Sequence, residues 1–253
     1  MADVTLTYKG SDILELSNSG SATLKTGGKY CEDDIAVEYV KPSGGGGEDF
    51  LAERAMGTLT SYSNHDLTKI EKGTFHYSNI LSIDCPSVTN IGLYGISEMN
   101  NIESFFFPLA SVNSYCARNC TKLKRAVIKT FLAASASFSG CPKLETVDAN
   151  DGLTGTITFQ GDTLLNTLVF RGSSIIGLAH VNAFNNTPFA SGGTGGTIYI
   201  PKALYDHLGD GTALDYKAAT NWSTIDGYGT ITWAKIEGSY YETHYADGTE
   251  ITA

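Results

Sequence analysis

Cys116 and Cys120 stand four positions apart, the spacing of half a thiolate metal site. Soft anionic sulfur holds zinc well, but a structural site needs four ligands. No second cysteine pair follows, and no His sits at ligand spacing. Cys120 and Cys141 lie 21 residues apart, which suits small buried side chains in a periodic core. Asp148-Ala149-Asn150-Asp151-Gly152 has the look of a calcium loop. Its twelfth position is Phe159, where an EF-hand needs a bidentate Glu, so the loop is left with no more than a surface cation. Gly192-Gly193-Thr194-Gly195-Gly196 lacks a following Lys-Ser/Thr and opens onto a strand pattern. A phosphate cradle needs the amides of a helix start, so this is a connection. Glu145 and Asp148 are the one carboxylate pair close on a predicted strand, and an acidic rim accounts for them equally. No Gly-x-Ser-x-Gly and no Ser/His/Asp or Cys/His arrangement emerges from spacing. Catalytic, cofactor and metal assignments are therefore all none.

The elements that would position any site come from a repeat. Starting at Ile70, steps of 21 give Ile91, Val112, Ala133, Thr154 and Ile175. A second column is Phe75, Ile96, Ala117, Phe138, Phe159 and His180. A third is Leu81, Ile102, Leu123, Leu144, Leu165 and Asn186. A fourth is Asp84, Phe105, Ala126, Val147, Leu168 and Phe189. The first row slips by one, because Ile83 fits better than Asp84, and the sixth row is degenerate. A single 21-residue turn cannot bury its apolar side, whereas stacked turns make each column a ladder in one core. The pattern predicts a mainly β solenoid of about six turns. Its strands lie over 102–108, 123–129, 144–150 and 165–171 and pair in parallel about 4.8 Å apart. His180 then sits in an apolar column as a core imidazole.

The flanks differ from the repeats. Alternation over 5–8, 13–16, 22–25 and 35–40 predicts a small N-terminal β-module at 1–42. Ser43 and Gly44 to Gly47 predict a flexible linker at 43–48. Residues 49–57 read as a short helix or strand that opens the solenoid, assigned to 49–200. A cap follows at 201–253, with a helix from Pro201 through Leu208, another over 215–222, and strands over 231–236 and 240–245. The net charge is −10, and it sits in the two end modules. An acidic chain is a poor general binder of nucleic acid, which needs cations to displace phosphate counterions. No apolar run of about 18 residues predicts a membrane helix, and the first residues do not read as a signal peptide. Five cysteines without a dense framework predict free thiols in a cytoplasm. Three Asn-x-Ser/Thr sequons, at Asn119, Asn185 and Asn221, are then coincidental.

One feature suggests a surface for a partner. If the fourth column points inward, the next position points out. There the middle rows read Phe106, Val127, Asp148 and Val169, with Arg125 and Lys129 beside them. Three apolar residues in line form a patch of the kind that marks interfaces, unless loops or the end modules cover it. A shift of one residue in phase would swap the inner and outer sets.

The unit Phe138-Ser139-Gly140-Cys141-Pro142-Lys143-Leu144-Glu145-Thr146-Val147 resembles the BspA-like leucine-rich repeat, as does Ala117-Arg118-Asn119-Cys120-Thr121-Lys122-Leu123. The likeness covers residues 67–200. Gly20 to Ile35 resembles an N-terminal module of structural proteins in phages of Gram-positive gut bacteria. Gly196 to Pro201, with Tyr216 to Trp222, resembles the segment that follows the repeats in those proteins, with residues 205–214 as an insertion. The resemblance implies a non-enzymatic virion protein (head fibre, decoration protein or tail adhesin), assembled in a host cytoplasm. It would dock on other virion proteins through residues 1–42, form a homo-oligomer, with a trimer favoured, and meet a host-surface glycan or protein. The alternatives are a bacterial cell-surface adhesin of the same fold and a glycan-processing tail enzyme.

Overall fold

The computed structural model describes residues 4–8, 11–16, 22–24 and 61–251. Cys31, the strand expected over 35–40, the linker at 43–48 and the segment 49–57 lie outside the described residues. The strands are β1 Val4–Tyr8, β2 Ser11–Leu16, β3 Ala22–Leu24, β4 Ser61–Ser63, β5 Lys69–Ile70, β6 Ser82–Asp84, β7 Asn90–Ile91 and β8 Ser104–Val112. They continue with β9 Arg125–Ala134, β10 Thr146–Ala149, β11 Asp151–Thr154, β12 Thr167–Phe170, β13 Gly177–Leu178, β14 Gly196–Ile200 and β15 Ile231–Lys235.

The fold is a solenoid of stacked 21-residue turns, as the columns require. One parallel ladder takes Ser104 to Arg125, Thr146 and Thr167 in register. A second takes Ile70 to Ile91 and Val112. β8 and β9 are long enough to bend and serve both ladders. The side chains of Ile102, Leu123, Leu144 and Leu165 are buried, as are Phe75, Ile96, Ala117, Phe138 and Phe159. Stacking removes each of these from water, at roughly 1.5–3 kcal/mol for a large apolar side chain.

Tight corners close each turn. Gly73, Tyr94, Tyr115 and Ala136 form one column of positive φ, and Tyr77, Glu98, Asn119, Gly140 and Gly161 form another. Left-handed backbone costs a non-glycine residue of the order of 1 kcal/mol or more. Amides from one turn to the next hold these corners, as Asn119 N–H to Ser139 O at 2.9 Å and Gly140 N–H to Gln160 O at 2.9 Å. Gly140 is required for a second reason: a Cβ there would lie 2.3 Å from the Asn119 Oδ1.

The register departs from a strict 21-residue step in three places, the first of them the slip expected in the first row. In the first turn Ile80 is buried and Leu81 is 53% exposed, while Ile83 packs against the core, a slip of one. A bulge between Phe107 and Ser111 sets Val112 opposite Phe131, so Phe131 fills the space that strict periodicity gives to Ala133. The sixth turn is four residues longer. Phe159 N–H bonds Ala183 O and Phe184 stacks on Phe159 at 5.2 Å, so Phe184 continues the aromatic column. His180 is therefore exposed and is no core imidazole; its Nδ1 accepts the Asn182 N–H at 3.1 Å, starting a short 3-10 helix.

Both ends are closed. β1 pairs antiparallel with β2 and with β4, giving the order β3-β2-β1-β4-β6 over the first turns. At the other end β14 and β15 extend the first ladder in parallel. The last short strand of the second ladder is met by side chains. The Tyr216 hydroxyl accepts the Ile176 N–H at 2.9 Å, and Trp222 Nε1 donates to Ile176 O at 2.7 Å. Asn221 Nδ2 donates to Leu178 O at 2.7 Å. These bonds satisfy backbone groups that an open sheet edge would leave exposed. The first cap helix, α1 Lys202–Tyr205, is shorter than the one expected from Pro201 through Leu208. The helix expected over 215–222 is not formed: residues 216–221 make turns, with the Asp215 carboxylate accepting the Gly211 and Lys217 N–H groups, and α2 runs over Trp222–Asp226. The expected strand over 240–245 is a 3-10 turn at Tyr240–Glu242, because the Ser239 hydroxyl accepts the Tyr241 N–H at 3.2 Å.

Candidate functional site

The patch expected at Phe106, Val127 and Val169 is not open. Val127 and Val169 are fully buried, and Phe106 is half-buried against Tyr245 at 5.6 Å. The cover is the chain's own C-terminal strap, residues 239–251. Tyr241 packs on Tyr199 at 4.7 Å, and Asp148, the polar member of the row, anchors the strap. Arg171 Nε and Nη2 each bond the Asp148 carboxylate at 2.7 Å. Its remaining donors reach Tyr241 O at 2.7 Å and His244 O at 2.8 Å. The Ala246 N–H donates to Asp148 at 3.0 Å, and the Arg171 guanidinium lies 5.1 Å from the Tyr245 ring centre. Burial raises the Asp148 carboxyl above its ordinary range, and the bonds from Arg171 oppose that rise. The row is thus covered within the chain, as a docking surface for its own strap.

The polar groups singled out for chemistry are likewise engaged. Arg125 donates to Asp247 O at 3.1 Å, at the edge of the strap. Lys129 is exposed on the same strand. Of the neighbouring cations, Lys124 pairs with Glu103 at 2.8 Å and Lys122 bonds Asn101 Oδ1 at 2.8 Å. Asp148 is committed to Arg171, which removes it as a partner acid or base for Glu145. Cys85, Cys116, Cys120 and Cys141 are free and buried. The Cys120 and Cys141 thiols point at Ile96 O and Ala117 O, each at 3.2 Å, and tie neighbouring turns together. Burial pushes the Cys85 thiol up to about 12 and raises Cys116 and Cys141 as well. Asp162 continues this column, taking the Cys141 N–H at 2.8 Å, and burial holds its carboxyl well above the usual range. Among the described residues no group of three or more His, Cys, Asp or Glu is placed to hold a metal ion. No described helix is long and apolar enough to cross a membrane.

Among the described residues, one ordered and partly accessible feature is the row of corners. His76 stacks on Tyr77 at 4.0 Å and on Tyr94 at 5.6 Å, Tyr94 stacks on Tyr115 at 5.1 Å, and Arg118 caps the Tyr115 ring at 5.6 Å. Tyr77 is 61% exposed and the other members are half-buried. Polar rungs run alongside, with Asn119 Nδ2 to Glu98 Oε1 at 2.6 Å and Thr121 Oγ1 to Asn100 Oδ1 at 2.9 Å. Three tyrosines thus hold left-handed backbone that glycine would adopt more readily, and their rings line one face.

Residues 58–163 match the model of the BspA type leucine rich repeat region, in six copies. The turns within that span are similar to BspA-type leucine-rich repeats. A solved leucine-rich repeat protein from Bacteroides ovatus ATCC 8483 is similar at 11% identity and a TM-score of 0.33, over 96% of this chain and 80% of that one. No curated protein matches. Within these turns the aromatic row was missed from sequence. The signal that finds it is the 21-residue spacing of Tyr94 and Tyr115, in the column that Gly73 opens.

Proposed function

We propose that the protein is a non-enzymatic attachment scaffold that presents the corner face of its BspA-type repeats to a partner. The observation that carries this is the stacked row of His76, Tyr77, Tyr94 and Tyr115, aromatic and partly open to solvent, with Tyr77 the exposed member. Aromatic side chains supply contact area at little cost in conformational entropy, which suits a recognition surface. The site is a face, and among the described residues it carries no convergent acid, base and nucleophile. In the finer reading the chain is a phage virion component (head fibre, decoration protein or tail adhesin) docked through its N-terminal residues. That reading is supported by the resemblance of Gly20 to Ile35 and Gly196 to Pro201 to phage structural modules.

The test is binding of labelled protein to intact bacterial cells and to isolated walls. Tyr94→Ser with Tyr115→Ser should lower retention at least roughly tenfold while the fold survives, since both rings are partly solvated. Unchanged retention would move attachment off this face. Recovery of the chain in purified phage particles, by mass spectrometry, supports the virion reading. Recovery by proteolytic shaving of uninfected cells would replace it with a bacterial surface adhesin. Light scattering tests the trimer, which should weigh three times the 27.0 kDa chain.

A further inference from the structure

Between the sixth turn and the cap lies a hollow of about 260 Å³, lined by Val181, Asn185, Asn186, Ala190, Ser191 and Tyr228. We propose that this hollow binds one neutral sugar ring of a surface glycan; the inference rests on the attachment reading and gives it a ligand class. Its location follows from the fold. Asn186 holds left-handed backbone 25 residues after Gly161, so it is the corner of the lengthened sixth turn, in the column of Tyr77, Glu98, Asn119, Gly140 and Gly161. The hollow therefore ends the same corner row that carries the aromatic stack. The extra residues of this turn enter between Arg171 and Gly177, after the pair of Ala149 and Phe170 has kept the 21-residue register and before Leu153 meets Gly177, and they carry Asn185 and Asn186 four positions beyond the strict step.

The lining has a consistent chemistry. Among the described residues, none receives or gives a hydrogen bond to the side chains of Asn185, Asn186 or Ser191, nor to the Tyr228 hydroxyl. Two carboxamides and two hydroxyls are thus left with donors and acceptors of both kinds. Sugar hydroxyls also donate and accept, so a polyol satisfies such a set where a purely accepting anion or purely donating cation would not. No carboxylate, ammonium, guanidinium or imidazole lines the hollow, which favours a neutral ligand. Tyr228 is 36% exposed and offers a flat ring to the C–H face of a pyranose. A peptide anchor would need a deeper apolar pocket than Val181 and Ala190 supply. The volume lies below the roughly 300–1,000 Å³ of pockets for drug-sized ligands, which fits a single ring of a longer chain.

The frame is set before any ligand arrives. Asn185 N–H bonds Asn182 O at 3.2 Å, Gly161 N–H bonds Asn185 O at 2.9 Å, and Ala190 N–H bonds Thr187 O at 3.1 Å. Thr187 Oγ1 donates to Phe184 O at 2.8 Å beneath the corner. Binding then needs side-chain ordering only, and a dissociation constant on the order of 1 mM is expected for a lone monosaccharide.

The experiment is saturation-transfer NMR on the whole chain with glucose, galactose, mannose and N-acetylglucosamine. Glucuronic acid and glucosamine serve as charged comparators. At least one neutral sugar should give transfer, exceeding that of the charged comparators. Tyr228→Ala, Asn185→Ala and Asn186→Gly, the last chosen because glycine keeps the corner backbone, should each weaken it roughly tenfold. No transfer from any neutral sugar, equal transfer from the charged ones, or transfer unmoved by all three variants would each overturn the proposal. Cell retention of the same variants separates the two readings. Sugar transfer without cell retention keeps the hollow as a sugar site and removes attachment; retention without sugar transfer does the reverse.

Discussion

Replacing Arg171 with Ala removes the anchor of the C-terminal strap and tests whether that strap is an integral part of the fold. The guanidinium makes two bonds to Asp148 and two to strap carbonyls, all between 2.7 and 2.8 Å. The Asp148 side chain is 1% exposed, and after the substitution it would keep only the Ala246 N–H. Breaking a buried ion pair by removing one partner costs about 3–5 kcal/mol, because the remaining charge stays desolvated. The strap can limit this loss by opening and letting water reach the carboxylate. The expected cost is therefore about 3 kcal/mol, with a fall in Tm of roughly 6–12 °C for a chain of this size. Urea titration measures the loss, and hydrogen exchange at residues 239–251 shows where it falls. The double variant Asp148→Leu with Arg171→Leu should recover most of the stability, since an apolar pair carries no desolvation cost. A loss under about 1 kcal/mol in Arg171→Ala, with the Ala246 amide still protected, would refute the reasoning.

Other substitutions test the turns themselves. Gly152→Ala should destabilise by about 3 kcal/mol or more, because a Cβ would lie 2.2 Å from Phe131 O at a φ of +114°. Gly192→Ala, at a φ of +74° with nothing within 4 Å of the new Cβ, should cost only about 1 kcal/mol; equal losses in urea would contradict the close-approach argument. Cys85, Cys116, Cys120 and Cys141 should resist a thiol reagent at pH 8 until denaturant is added, since they are buried and thiolate is the reactive form. Fast labelling of any of the four in the native state, read by peptide mapping, would show that its turn opens. Asp162 carries a raised pKa in the fold, so its contribution is fully present below its unfolded value near ~3.9 and is lost as pH rises through the folded one. Asp162→Asn should then gain on the native chain in melts between pH 4 and pH 8; a stability difference that does not change with pH would remove the buried carboxyl from the account.

How much of this was legible follows from how far apart the interacting residues lie. The inward columns repeat every 21 residues, so periodicity alone finds Ile102, Leu123, Leu144 and Leu165, and parallel pairing follows because adjacent turns carry the same pattern. The corners were hidden because sequence reading assigns positive φ to glycine, while this chain places Tyr94 and Tyr115 there and holds them by stacking. The lengthened sixth turn was misread because a fixed step carries His180 into the place that Phe184 occupies. The strap was beyond any local pattern, since Arg171 and Asp148 meet residues 70 to 98 positions away.

Yet one residue of the outer row fixes where the strap docks. In the row of Phe106, Val127 and Val169, Asp148 is buried, and its carboxylate is held by Arg171 and the Ala246 N–H. A desolvated carboxylate needs bonded partners, and such a residue is retained where it fixes one arrangement over others that bury the same area. The strap could slide along an apolar row with little loss, but it cannot slide away from Asp148 and Arg171 without stranding a charge. An aspartate within an apolar outward column thus reads as the address for a distant segment of the same chain. The same reasoning points any search for a partner to the corner face, where aromatic rings and unbonded amides remain available.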